Sequence, residues 1–266
     1  MIDRLSDDGI DVRVEAGIAR ITLNRPDAGN AITLPVAMAL MRAAIRCETD
    51  PSIRCVIMTG RGRLFCAGGD VPTIADAGAG RAPMLAELIG VLHVAIERLF
   101  AMPKPLITLI NGPAAGAGFS LAMLGDLVLS ARSAHFTAAY GAIGLTADGG
   151  LSWLLPRLVG LRRAQEIVLT NRRISALEAE TIGLVTRVVE DDALAEEGDK
   201  LAEQLAGGAA RALGAARALL RDSFDTGLEA QLNDEQRSMV LAGGSAECAE
   251  GLQAFLAKRP ANFKGI

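Results

Sequence analysis

From Pro105 to Gly125 the chain carries no charged residue, and this stretch limits the possible folds more than any other. Leu106 to Ile110 is short, apolar and rich in β-branched residues, which predicts a buried strand. Asn111-Gly112-Pro113 breaks it, and Gly116 and Gly118 then open a small-residue segment that is predicted to be helical from about Phe119. A strand that runs through a glycine-rich turn into a buried helix leaves backbone N–H groups unpaired at the helix start. Such groups hold negative charge, on a phosphate, a carboxylate or a developing oxyanion. The run is about the length of a membrane span, but its Asn-Gly-Pro centre and its glycines argue against one.

At 266 residues the chain is long enough for one large domain or a domain with an appendage. Only 3% of residues are aromatic although 50% are hydrophobic, so the core must be built from Ala, Leu, Ile and Val. A net charge of −4 without a long basic run excludes nucleic-acid partners. Cys47, Cys55, Cys66 and Cys248 show no metal-ligand spacing, which predicts reduced thiols in a cytoplasmic protein. The N-terminus, Met-Ile-Asp-Arg-Leu-Ser-Asp-Asp, is too acidic and polar for a signal peptide, and no membrane association is expected.

In chain order, residues 10–16 and 18–23 alternate around Ala16-Gly17 and predict a hairpin. Residues 24–30 form a loop, and residues 33–47 a helix capped by Thr33. Cys55 to Thr59 is a second buried strand, followed by a second glycine-rich loop, residues 60–70. Residues 71–83, rich in Ala, Gly and Pro, are expected to be mobile. Residues 84–100 predict an amphipathic helix carrying His93. Short strands are expected at 127–130 and 135–137, one helix at 153–168, and a strand-like stretch at 183–189 within helical sequence. The fold class is therefore α/β, with a core over 1–190 and a helical region over 191–266.

Several patterns near these loops invite chemistry. Gly116-Ala-Gly118 is half of a dinucleotide fingerprint, but the third glycine would fall at Leu121, which disfavours a nicotinamide site. Gly118-Phe-Ser120-Leu-Ala122 approaches a nucleophile elbow. That motif needs an acid and then a histidine downstream, whereas His135 precedes Asp148, and Ser120 reads instead as a small lining residue. His93 is either a packed histidine or a base. Asp148 either caps a helix starting near Gly149 or, lying in an apolar segment, serves as a general base.

Taken together, the two loops resemble the crotonase superfamily, also called the enoyl-CoA hydratase/isomerase family. The resemblance is carried by Leu-Asn-Arg-Pro (23–26) with Asn30-Ala31, Phe-Cys-Ala-Gly-Gly-Asp (65–70), and Lys-Pro-Leu-Ile (104–107) leading to Asn-Gly-Pro-Ala-Ala-Gly-Ala-Gly (111–118). Asp126, Ile-Gly-Leu (143–145), Leu-Pro-Arg-Leu-Val-Gly (155–160), Gly-Leu-Val (183–185) and Lys-Arg-Pro-Ala-Asn-Phe-Lys (258–264) continue it. The resemblance implies repeated ββα units and a C-terminal helical region that makes trimers, often stacked as hexamers. It implies an acyl-CoA thioester substrate, with coenzyme A as part of that substrate and no separate cofactor or metal. The N–H groups of Ala67 and Ala117 would hold the thioester oxygen as an enolate forms. Coenzyme A contacts would map to Arg25, Ala28, Ala67, Asp70, Phe255 and Lys258. The lysine often found after the Gly-Gly-Asp loop is replaced here by Val71-Pro72-Thr73.

The hydratases of this family use two glutamates, and Ser120 and Tyr140 stand at those positions, lining the acyl pocket. Asp148 falls where the isomerase-like members, including those of phenylacetate degradation, carry a catalytic acid/base. An isomerase-type reaction through Asp148 is thus the first expectation. An aryl-CoA dehalogenase-like reaction using Asp148 and His93 is a second, although Tyr140 replaces that branch's aryl-pocket tryptophan. A non-catalytic acyl-CoA-binding member is a third.

Overall fold

A computed structural model of the protein describes residues 3–266, with side chains from Ser6 onward. The expectation about a signal peptide falls partly on Met1 and Ile2, outside the described residues. In chain order the elements are β1 (Asp3–Asp7), β2 (Ile10–Glu15), β3 (Ile18–Leu23), α1 (Leu34–Thr49), β4 (Cys55–Gly60), α2 (Val71–Asp76), α3 (Arg81–Ala101), β5 (Leu106–Ile110), β6 (Ala114–Ala115) and α4 (Ala117–Ala122). There follow β7 (Leu127–Ala131), β8 (His135–Thr137), α5 (Leu151–Val159), α6 (Leu161–Thr170), β9 (Ile174–Ser175), α7 (Ala176–Thr181), β10 (Arg187–Val189), α8 (Leu194–Gly207), α9 (Ala210–Asp222), α10 (Leu228–Gly243) and α11 (Ala246–Leu256). The predicted α/β architecture with a helical C-terminal region is present.

Among the described residues, one sheet runs β1-β2-β3-β4-β5-β7-β10 and a smaller one β6-β8-β9. The hairpin pairs antiparallel around Ala16-Gly17, and from β3 onward the larger sheet is parallel. β1 adds an antiparallel edge that the sequence pattern did not suggest. The β5 residues Leu106, Ile107, Thr108, Leu109 and Ile110 are all buried, as a parallel strand covered on both faces requires. Within it the hydroxyl of Thr108 donates to the Ala122 carbonyl at 2.8 Å, so its polar atom is satisfied inside the core. No described helix is long and apolar enough to cross a membrane.

Thr33 caps α1, its hydroxyl accepting the Val36 N–H. Two expectations need correction. Residues 71–83, expected to be mobile, contain α2. Asp70 caps it through the Thr73 amide, and Pro72 fits the first turn, where no N–H is needed. The single helix expected over 153–168 is two, α5 and α6. Gly160 separates them at φ 82° and ψ 151°, while Leu155, Val159, Ala164 and Ile167 keep one buried face across the break. Residue 190 marks the end of the last strand rather than a gap in packing. α8 lies on the sheet, and its Gly198 approaches so closely that an added Cβ would sit 2.4 Å from a Leu109 methyl.

The buried Asn30 ties the 24–30 loop to the glycine-rich loop over 60–70. Its Nδ2 donates to the carbonyls of Arg61, Leu64 and Phe65 at 2.9, 2.8 and 3.1 Å, and its Oδ1 accepts the Arg25 N–H at 2.9 Å. Its backbone is left-handed at φ 57°, where asparagine is favoured over alanine. Asn30→Ala is therefore expected to cost about 2–4 kcal/mol, from orphaned buried groups and backbone strain. Urea denaturation at fixed protein concentration measures this, and a loss under about 0.5 kcal/mol, the range of an ordinary surface change, refutes it.

Candidate active site

The loops after β4 and β5 are zipped together by backbone hydrogen bonds, joined by the Asn111 side chain, whose Nδ2 donates to Gly62 O at 2.9 Å. Pro113 O accepts from the N–H groups of Phe65 and Cys66 at 3.1 and 3.3 Å, and the Ala115 N–H donates to Cys66 O at 2.9 Å. The approach is close because Gly118 has no side chain: a Cβ there would lie 2.2 Å from Cys66 O. Burial pushes the Cys66 thiol up to about 12, so at this contact it acts as a neutral packing group.

These loops open onto a cavity of about 420 Å³. Ala117 lines it as the first residue of α4, two residues earlier than the predicted helix start, because Gly116 turns the chain at φ 53°. The Ala117 N–H has no hydrogen-bond partner among the described residues. Ala67, expected to supply the second donor, does not. Its N–H is occupied by the Gly29 carbonyl at 2.9 Å, and this corrects the sequence reading. Two residues on, Gly69 lines the same cavity, and its N–H is unpaired among the described residues. The flanking groups are taken: Gly68 O accepts from the Ile32 N–H at 2.7 Å and the Asp70 N–H donates to Ile32 O at 3.1 Å. Within the two glycine-rich loops, the unpaired amides that line the cavity are therefore those of Gly69 and Ala117.

Asp148 and Tyr140 line the same space. The Tyr140 hydroxyl donates to Asp148 Oδ1 at 2.5 Å, while Oδ2 accepts no hydrogen bond among the described residues. Burial first, then the Asp148 charge, pushes the Tyr140 phenol up, so it remains a protonated donor. The fully buried Ser120 donates to the Asp148 backbone carbonyl at 2.9 Å and lies 3.3 Å from the Tyr140 hydroxyl. No histidine contacts Ser120 among the described residues, so an elbow serine would lack its base. The capping alternative for Asp148 fails. Gly150 is the N-cap of α5 with no side-chain cap, and only the Asp148 backbone carbonyl meets that helix, through Leu151 N–H at 3.1 Å.

His93 is placed differently from the other candidates. Its Nε2 accepts the Gly149 N–H at 3.1 Å, and it lines a separate cavity with Ile96, Phe100 and Trp153. It supports the peptide that follows Asp148 without lining the Asp148 cavity.

The expected coenzyme A contacts are only partly gathered. Ala67 is exposed and lines the cavity. Arg25 donates to Ala31 O at 2.7 Å and pairs with Asp70 at 3.4 Å. Burial alone would raise the Asp70 carboxyl, but the Thr73 amide and hydroxyl and Arg25 outweigh it and hold it below the usual carboxylate range. Ala28 is exposed on the short turn Pro26–Ala28. Phe255, 81% exposed, and Lys258 do not line the cavity, since α11 follows α10, whose main packing is against α9 and α11. Sequence reasoning missed Gly69 and the tethering role of Asn30. Both stand inside the quoted motifs, but nothing local says which amide is spent.

Comparison with known proteins gives the family. The sequence profile described as Enoyl-CoA hydratase/isomerase matches residues 13–266. The 1,2-epoxyphenylacetyl-CoA isomerase of Escherichia coli K12 is 39% identical over 253 residues, covering 95% of this chain and 97% of that protein. The 4-chlorobenzoyl coenzyme A dehalogenase-2 of an Arthrobacter species is 32% identical, covering 95% and 92%. The crystal structure of an enoyl-CoA hydratase from Polaromonas sp. JS666 superposes with a TM-score of 0.91 at 34% identity, covering 95% and 98% of the two chains. With its two facing glycine-rich loops and a match over nearly its whole length, the chain belongs to the enoyl-CoA hydratase/isomerase family of the crotonase superfamily.

Proposed function

We propose that this acyl-CoA-processing enzyme moves a double bond, or isomerises a CoA-conjugated ring, using Asp148 as its one acid/base. The thioester carbonyl oxygen accepts hydrogen bonds from the Gly69 and Ala117 N–H groups. Asp148 Oδ2 takes a proton from a carbon of the acyl group, the electron pair shifts toward the thioester oxygen as a dienolate, and the same proton is returned to a different carbon. Preorganised amides are worth about 2.7–4 kcal/mol each to such a charge. Tyr140 holds Oδ1, which leaves Oδ2 directed to proton transfer.

The observation that carries this reading is the lone carboxylate sharing a cavity with two unpaired amides. Hydration through a glutamate pair has no counterpart, because Ser120 and Tyr140 occupy those positions and neither is a base near neutral pH. The dehalogenase-like alternative draws support from the Arthrobacter relative, but His93 spends Nε2 on Gly149 and faces another cavity.

A panel of CoA thioesters tests the reading. Trans-3-hexenoyl-CoA is expected to become the conjugated 2-enoyl thioester. Hydration of 2-hexenoyl-CoA or chloride release from 4-chlorobenzoyl-CoA, without double-bond migration, overturns it. Binding without turnover of any member favours the non-catalytic role.

The same proposal includes a cytoplasmic homotrimer, or a hexamer of two trimers. Exposed Leu220, Leu228, Met239, Leu241 and Leu256 on α9, α10 and α11 form apolar surface that a monomer would leave in water. A monomeric mass by light scattering sinks that part.

A further inference from the structure

The wall of the Asp148 cavity is almost wholly hydrocarbon. Helix α3 contributes Leu85, Leu88, Ile89 and Leu92, spaced i, i+3, i+4 and i+7, so one stripe of a single helix faces the space. Ile143 and Leu145 line it as well. No Lys, Arg or His is among the described residues that line it, and its one lining carboxylate is Asp148. Arg25 does not line the cavity and is already tied to Asp70 and the Ala31 carbonyl. The exposed Thr146 supplies a neutral hydroxyl and no charge. At about 420 Å³ the space falls within the range of small-ligand pockets.

A carboxylate at the far end of an acyl group would lose its water here with no cation to replace it, and would face the Asp148 charge. A hydrocarbon tail loses nothing on entry and buries apolar surface against the α3 stripe. We propose that the site takes acyl groups that are hydrocarbon throughout, a chain or an apolar ring, and rejects those ending in a carboxylate. The α3 stripe, above all Ile89, sets that preference. The proposal rests on the reading of this cavity as the acyl part of a CoA-thioester site, but not on which reaction occurs there.

The test is calorimetric binding of two saturated thioesters that cannot isomerise, hexanoyl-CoA and adipoyl-CoA, to the full chain in its native assembly. Hexanoyl-CoA is expected to bind at least 100-fold more tightly, about 2.8 kcal/mol. Affinities within threefold of each other overturn the proposal. In Ile89→Arg, a change at a half-buried position, the ratio is expected to shrink at least tenfold. A folded variant with the wild-type ratio overturns the assignment of the α3 stripe. If that variant does not fold, the wild-type comparison decides alone. Binding of neither thioester overturns both the proposal and the acyl-CoA reading of the cavity. A hexanoyl preference without double-bond migration upholds the proposal and rejects the isomerase reading.

Discussion

Replacing Asp148 by Asn is expected to lower kcat for double-bond migration by about 100- to 10,000-fold, the usual contribution of a positioned general acid/base. That range corresponds to about 3–5.5 kcal/mol of activation free energy. Asparagine keeps the shape of the side chain, and its amide oxygen accepts the Tyr140 hydroxyl as Asp148 Oδ1 does at 2.5 Å. The Ser120 bond goes to the backbone carbonyl of residue 148 and is untouched by the change. What disappears is the second oxygen as a proton acceptor. Since coenzyme A does not meet this side chain in the proposed binding mode, kcat and kcat/KM should fall together, with thioester affinity within about threefold of wild type. Full activity in the variant removes Asp148 from the chemistry. Loss of affinity in step with rate would show that it shapes the pocket instead.

Arg217→Ala is expected to be the most destabilising single truncation outside the site, at about 3–5 kcal/mol. The guanidinium is buried in α9 and pairs with Asp126 at 2.6 Å. Its NH1 donates to the carbonyls of Phe100 and Met102 at 2.7 and 2.6 Å, and NH2 donates to that of Leu99 at 3.0 Å. It thus satisfies carbonyls at the C-terminal end of α3, where a cation also complements the helix dipole. One turn earlier Gly214 lets α9 approach the chain, since a Cβ there would sit 2.3 Å from Pro103 O. Asp126 keeps one bond, from the Leu106 N–H at 2.7 Å, so its charge is not left wholly alone in the variant. Chemical denaturation at fixed protein concentration measures the loss, because assembly would otherwise shift the midpoint. A change below about 1 kcal/mol would place this pair with ordinary surface ion pairs.

Much of the fold was legible in the sequence. The hairpin turn at Ala16-Gly17, the Thr33 cap and the charge-free β5 are local signals, each set by a few neighbouring residues. Errors arose where local composition misled. Ala, Gly and Pro in 71–83 suggested an irregular segment, but an aspartate cap and a proline in the first turn suffice to start α2. Apolar periodicity carried one helix across Gly160, because both α5 and α6 bury the same kind of face. Periodicity reports which side is buried, and a left-handed glycine can change the helix axis without changing that side.

By itself the sequence determined the α/β order, two strand–glycine-loop units, a carboxylate in an apolar segment, and the absence of the glutamate pair. Only the tertiary structure decided which amides are free to bind an oxyanion. In the uncharged stretch the Ala117 N–H is left unpaired among the described residues, while in the other loop it is the Gly69 N–H, because the Gly29 carbonyl consumes that of Ala67. Tertiary structure likewise set His93 behind the Asp148–Gly149 peptide and left Phe255 outside the cavity. The physical reason is the same in each case. A backbone amide's availability depends on which distant carbonyl arrives beside it, and residue type records nothing of that pairing.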